Sequence, residues 1–125
     1  MNTIAYFEIQ SSDPKREAAF YKAAFGWKFV KDEEIPIEYY RTEIGGMRGA
    51  LLKRPVAIPT EGFGTNAFTC SIRVENFDET SAKILKAGGQ IALPKFAVPG
   101  RCWQGYFMDP DHNTFGIFQD DIEAK

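Results

Sequence analysis

The sequence predicts an α+β fold in which two βαβββ modules form one domain. Three observations carry that expectation. Phe7 to Trp27 reads strand, capped helix, glycine, strand, and Cys70 to Ile91 repeats the pattern 63 residues later, so that Asp13 falls on Asn76, Ala24 on Ala87 and Gly26 on Gly89. Repetition at a fixed offset is sought first, because missing it misassigns the whole fold. Each helical segment is followed by three short stretches of strand character. Finally, 125 residues with 44% hydrophobic content and 11 phenylalanines can bury a core without disulfides or metal staples.

Module one is expected at about 3–54, a connector at about 55–65 and module two at about 66–120. Phe7 and Ile9 alternate with Tyr6, Glu8 and Gln10, the period of a strand with one face on a core. Asp13 and Pro14 supply an N-cap and a first helical residue for Lys15 to Phe25, and Gly26 ends that helix. Trp27 to Val30, Ile37 to Thr42 and Met47 to Leu52 follow as strands, with Gly45-Gly46 as the turn before the last. The stretch Arg54 to Gly64 holds prolines and glycines and has no periodicity, which marks the connector.

The second copy opens with Phe68, Cys70, Ile72 and Val74 on one face and Thr69, Ser71 and Arg73 on the other. Asn76 with Glu79 three residues on forms a capping box, Phe77, Ile84 and Leu85 give the helix an apolar stripe, and Gly88-Gly89 stops it. Gln90 to Ala97, Cys102 to Met108 and Thr114 to Phe118 are the last strands, with the turn Asp109 to Asn113 between the final pair. Each helix must cover the apolar face of a sheet, which leaves the faces bearing Tyr6, Glu8, Thr69, Ser71 and Arg73 to meet each other or a ligand.

Composition excludes several classes of partner. The net charge of -2, with 15 basic residues scattered among 17 acidic ones, disfavours nucleic acid. No apolar run approaches the roughly 20 residues of a transmembrane helix, and the first ten residues lack a secretory pattern. A soluble cytoplasmic protein is expected, with no membrane partner. Its two cysteines are expected as reduced thiols.

The stretches FEIQSSDPKREAAFYKAAFGW, VENFDETSAKILKAGGQI and YFMDPDHNTFGIFQ together resemble the vicinal oxygen chelate superfamily, which includes glyoxalase I, bleomycin-resistance proteins and extradiol dioxygenases. The resemblance spans nearly the whole chain and rests on the order of the motifs. It implies one glyoxalase-like domain with a cleft between curved sheets, a small-molecule ligand, and a homodimer. In metal-dependent relatives the first and last strand of each module supply one ligand apiece. Carried onto this chain, those positions are Tyr6, Gly49, Thr69 and Gly116, none of them His, Glu or Asp. No metal and no cofactor are therefore expected, because zinc, nickel or iron needs several imidazole, carboxylate or thiolate donors converging at once.

The expected cleft is lined by Tyr6, Glu8, Gly49, Thr69, Ser71, Arg73, Trp103, Gly116 and Phe118, with Tyr39 or Tyr40 contributing. Glu8 is the candidate catalytic residue: a partly desolvated carboxylate can act as a general base, can bind a ligand, or can pair with Arg73. Arg73 could instead receive an anion with its planar fork. His112, the single histidine, sits in a turn and reads as a surface residue. Cys102 follows Arg101, but neighbours on a strand point to opposite faces, so it reads as structural. Two functions follow from these residues. One is metal-independent binding of a small molecule, as in the bleomycin-resistance branch. The other is a glyoxalase-related lyase or other enzyme that uses Glu8 or a displaced metal.

Overall fold

The computed structural model describes residues 4–55, 57–58 and 69–125. Most of the expected connector, and Phe68, lie outside the described residues. In chain order the elements are β1 (Tyr6–Ser11), α1 (Pro14–Phe25), β2 (Val30–Lys31), β3 (Tyr39–Ile44), β4 (Met47–Lys53), β5 (Ser71–Arg73), α2 (Phe77–Lys86), β6 (Gln90–Val98), β7 (Cys102–Met108) and β8 (Thr114–Asp120). This is the α+β pattern of two βαβββ modules.

The helix ends follow the capping residues. The Asp13 carboxylate accepts from the Arg16 backbone N–H at 3.3 Å, and Pro14 takes the first turn. Gly26, at φ +75°, donates its N–H to Lys22 at 2.9 Å, a left-handed stop that glycine adopts without a Cβ penalty. In α2 the Asn76 side chain accepts from the Glu79 N–H at 2.9 Å. Phe77 and Ile84 are buried, but Leu85 is 45% exposed, contrary to the expected stripe. One residue beyond Ile84 is a rotation of about 100° around the helix, and Ile84 already takes the inward direction.

Each module builds a four-stranded sheet. The first runs β1-β4-β3-β2 and the second β5-β8-β7-β6. In both, the first strand of the module pairs in parallel with the last, and the remaining neighbours are antiparallel. The second strand is shorter and later than Trp27 to Val30, because Trp27 and Phe29 turn into the core. Trp27 stacks on Tyr21 with ring centres 5.3 Å apart and planes 7° from parallel.

The two modules share one core. Phe20, Tyr21 and Ala24 of α1 join Phe77 and Ile84 of α2 and Phe107, Phe115 and Ile117 of the second sheet. Helix α1 also packs on β1 and β4 of its own sheet. Its aromatic residues nonetheless reach across the module boundary: the Phe20, Tyr21 and Phe25 rings all lie 5.8–6.3 Å from that of Phe115. The helix-covered sides of the modules therefore meet.

Candidate functional site

Residues paired directly across neighbouring strands share a sheet face, so the register sorts the candidate residues. In the first sheet the rows Tyr6, Arg48, Glu43 and Glu8, Ala50, Arg41 lie on the face away from α1. The Tyr6 and Tyr39 hydroxyls meet there at 2.6 Å, across the row that contains the fully buried Ala50. The Arg41 guanidinium sits 5.5 Å from the centre of the Tyr39 ring and is tied to Asp32. Burial pushes the Tyr39 hydroxyl up to about 12, helped by its bond to Tyr6 and by the nearby Glu8 charge. Glu8 is exposed on this face.

In the second sheet the face away from the helices carries Ser71, Gly116 and Tyr106 in one row and Arg73, Phe118 and Gln104 in the next. Gln104 is nearly buried, and its amide nitrogen donates to the Ser71 hydroxyl at 3.2 Å. That bond spans β8 above Gly116. A Cβ on Gly116 would stand 2.5 Å from the Ser71 oxygen and 2.7 Å from the Gln104 nitrogen, so glycine is what lets the pair close. The Tyr106 ring lies beside the pair and stacks on Phe96 with centres 6.3 Å apart.

Two of the expected cleft residues lie elsewhere. Gly49 pairs with Phe7, and a Cβ on it would lie 2.3 Å from the Phe7 ring, which places it on the helix-covered side. The matching rows explain the slip. Glu8 with Ala50 corresponds to Ser71 with Gly116, so the position equivalent to Gly116 is Ala50, one residue on. A shift of one residue exchanges the two faces of a strand. Trp103 pairs with Ala97 and Gln119, packs against the core, and donates its indole N–H to Asp121 at 3.0 Å.

Thr69 is exposed two residues before β5 begins. Arg73 does not pair with Glu8. Its guanidinium lies 3.2 Å from Asp120 and above the Phe118 ring. Among the described residues, the Tyr6–Glu8–Tyr39 group and the Ser71–Gln104–Phe118 group are joined by no hydrogen bond or ion pair. Nor do His, Cys, Asp or Glu side chains there form a group of three placed to hold a metal.

Turn residues 109–113 hold more than a chain reversal. Asp109 and Asp111 are buried, as is Glu17 on α1. Asp111 accepts from the Ser12 N–H at 3.0 Å, from Arg16 at 2.6 Å and from Arg54 at 2.6 Å. Asp109 accepts from Tyr21 at 2.8 Å and from Asn113 at 2.8 Å, while the Asn113 amide also reaches the Gln10 carbonyl at 2.8 Å. Burial alone would raise Asp111, but its bonds from Ser12 and Arg54 outweigh that and hold it below its ordinary value. Burial dominates for Asp109, which is raised, and for Glu17, which is raised to about 7. This network is the polar joint between the modules. His112 lies within it at φ +63°, the one non-glycine residue with positive φ among those described.

Paired βαβββ modules with helix-covered sides in contact and an open face on each sheet define a class of protein. A family model for the glyoxalase/bleomycin resistance protein/dioxygenase superfamily matches residues 3–117, and the chain belongs to that superfamily. The protein CFP32 of Mycobacterium tuberculosis, provisionally named a glyoxylase, is 25% identical over 118 residues, covering 91% of this chain and 44% of its own; the Mycobacterium bovis protein matches equally. The chain thus spans less than half the length of these relatives. Among solved structures, the fosfomycin resistance protein FosX of Listeria monocytogenes has a TM-score of 0.75 at 14% identity, covering 98% of this chain and 94% of that one. The hypothetical protein SA1046 of S. aureus gives 0.73 at 22%, covering 95% and 98%. A glyoxalase-related enzyme of Fulvimarina pelagi gives 0.72 at 21%, covering 100% and 96%. At these identities the likeness establishes the fold.

Proposed function

We propose that this protein binds a small organic molecule on the open sheet faces without the divalent ion used by metal-dependent members of its superfamily. The carrying observation is the donor set at the four positions that the family resemblance and the internal repeat point to, with Ala50 taken in place of Gly49 because its register matches that of Gly116. They are Tyr6, Ala50, Thr69 and Gly116. Two hydroxyls, a methyl group and a hydrogen do not fit a zinc, nickel or iron site, which needs several strong donors converging. Gln104 and Ser71 fill the Gly116 corner with a neutral hydrogen-bonded pair. Elemental analysis of the purified protein, with a ligand screen before and after chelation, tests the reading. It expects no stoichiometric metal and ligand binding that survives chelation; a bound metal whose removal abolishes binding would overturn it.

The active unit in this reading is a homodimer, in which the first-sheet face of one copy closes over the second-sheet face of the other. Supporting it, the two faces belong to modules that meet through their helix-covered sides, and Ile4, Met47, Ile91 and Leu93 are exposed apolar residues in or next to the strands. Light scattering on the eluting protein reads the mass directly. A monomer at all concentrations, with ligand bound, would remove this part.

A second reading is an acid/base enzyme of the superfamily with Glu8 as the base. The observation in its favour is the exposed Glu8 carboxylate on the same face as the Tyr6–Tyr39 hydroxyl pair. Glu8→Gln should then lower turnover at least about a hundredfold, the usual worth of a general base, with the melting temperature unchanged. Full activity in that variant would refute it.

A further inference from the structure

We infer that the Ser71–Gln104 pair selects the ligand, and that the ligand is an uncharged planar molecule with an amide or lactam edge; the inference rests on the small-molecule reading above. Three features of the second sheet's open face lead there. The first is the pair itself. A glutamine amide offers two N–H donors and a carbonyl acceptor, and a serine hydroxyl offers one donor and can accept as well. Only one amide N–H is used, in the bond to Ser71. If the amide is turned the other way, Ser71 donates to the carbonyl and both N–H groups remain. Either arrangement leaves a donor and an acceptor side by side, which is the complement of an amide edge.

The second feature is shape. Gly116 lets the Ser71–Gln104 pair lie flat across the strand, Phe118 and Tyr106 stand in the same two rows, the Phe118 ring carries the Arg73 guanidinium 5.5 Å above it, and Tyr106 is backed by Phe96 at an interplanar angle of 22°. Flat rings beside a hydrogen-bonding edge suit a planar ligand, which gains from stacking as well as from burial.

The third is charge. The ionic side chains in these rows and the next are Arg73 and Asp120, and they face each other at 3.2 Å on the exposed rim. The centre around Gln104, Ser71, Tyr106 and Gly116 is neutral. On the second sheet's own face, a carboxylate, phosphonate or ammonium group desolvated at this centre would find no free counter-charge, because Arg73 is held by Asp120, and burying an unpaired ion is costly. A neutral lactam meets its hydrogen bonds in full.

The experiment compares three probes of similar size: 2-quinolone, N-methyl-2-quinolone and 2-naphthoate. Dissociation constants and shifts of the Ser71, Gln104 and Gly116 backbone amide signals are read by NMR. We expect 2-quinolone to bind and shift these signals, and N-methylation to weaken it at least about tenfold, the loss expected for one unpaired polar contact. The naphthoate should bind more weakly still. Gln104→Met should remove the preference for 2-quinolone over its N-methyl form. Ser71→Ala, at an exposed position, serves the same purpose should the Gln104 variant fail to fold. Equal or tighter binding of naphthoate at these residues, or an unchanged preference in the variants, would overturn the lactam assignment while leaving small-molecule binding intact. Absence of binding by every probe and by a broader neutral and ionic screen would overturn both.

Discussion

Replacing Asp111 with alanine should separate the modules energetically. Its carboxylate is fully buried and accepts from the Ser12 backbone and hydroxyl on one side and from Arg16 and Arg54 on the other. Arg54 matters most, because its side chain is only 8% exposed, whereas that of Arg16 is 41% exposed and can turn to water. Removing one partner of a buried charge pair typically costs about 3–5 kcal/mol, since the surviving charge stays desolvated. The exposed Arg16 contact adds little to that, by the usual worth of surface pairs, about 0–1 kcal/mol. The expected loss is therefore about 3–5 kcal/mol, a large part of the stability of a domain this size. Urea unfolding followed by both tryptophan fluorescence and far-ultraviolet circular dichroism measures it, and coincident curves show whether the modules still unfold together. A loss below about 1 kcal/mol would refute the view that the turn is the joint, because it would mean Arg54 is compensated elsewhere.

Glu17 carries a pH dependence of definite sign. Burial raises its carboxyl from the ordinary 4.5 to about 7, so the folded protein holds this proton more tightly than the unfolded chain does. Its stabilising contribution is complete below pH 4.5 and is lost as pH rises through about 7, by up to about 3 kcal/mol at 1.4 kcal/mol per tenfold. Glu17→Gln should flatten that fall, so the variant gains on the wild type as pH rises; urea midpoints at about pH 5 and about pH 8 compare them, and parallel losses in both proteins would contradict the assignment. Gly105→Ala should destabilise by about 1–3 kcal/mol through overpacking, because its Cβ would stand 2.6 Å from the ring of the buried Phe77; an unchanged thermal midpoint would show that α2 can move away.

Face assignments divide into those readable from one strand and those that need two. Tyr6 and Glu8 share a face because alternation along β1 is local, and the same holds for Ser71 and Arg73. Gly49 lies on the face opposite to the one expected, because the face of a parallel strand is fixed by its register against β1, some forty residues away in sequence. Trp103 has strand parity opposite to Gln104, and the alternation of apolar and polar residues along Cys102–Met108 does not say which parity faces the core. The signal that could have found Gln104 is Gly105: a glycine in a strand marks a close approach, here by Phe77, which turns its neighbour Gln104 to the other face. The acids of the β7–β8 turn read as turn formers because Asp and Asn favour turns on their own, and their burial depends on partners from the other module, Arg16 and Arg54 for Asp111 and Tyr21 for Asp109.

The amino-acid sequence alone determined what depends on short spans: the doubled module, the helix caps at Asp13 and Asn76, the glycine stops and the order of strands. These are local because caps, turns and periodicity act within a few residues. Tertiary structure decided the rest. It set Ala50 in place of Gly49, turned Trp103 inward, bridged Gln104 to Ser71 over Gly116, and buried Glu17, Asp109 and Asp111 between the modules. Each of these is a contact between segments far apart in the chain, and its energy exists only once the intervening chain has folded back.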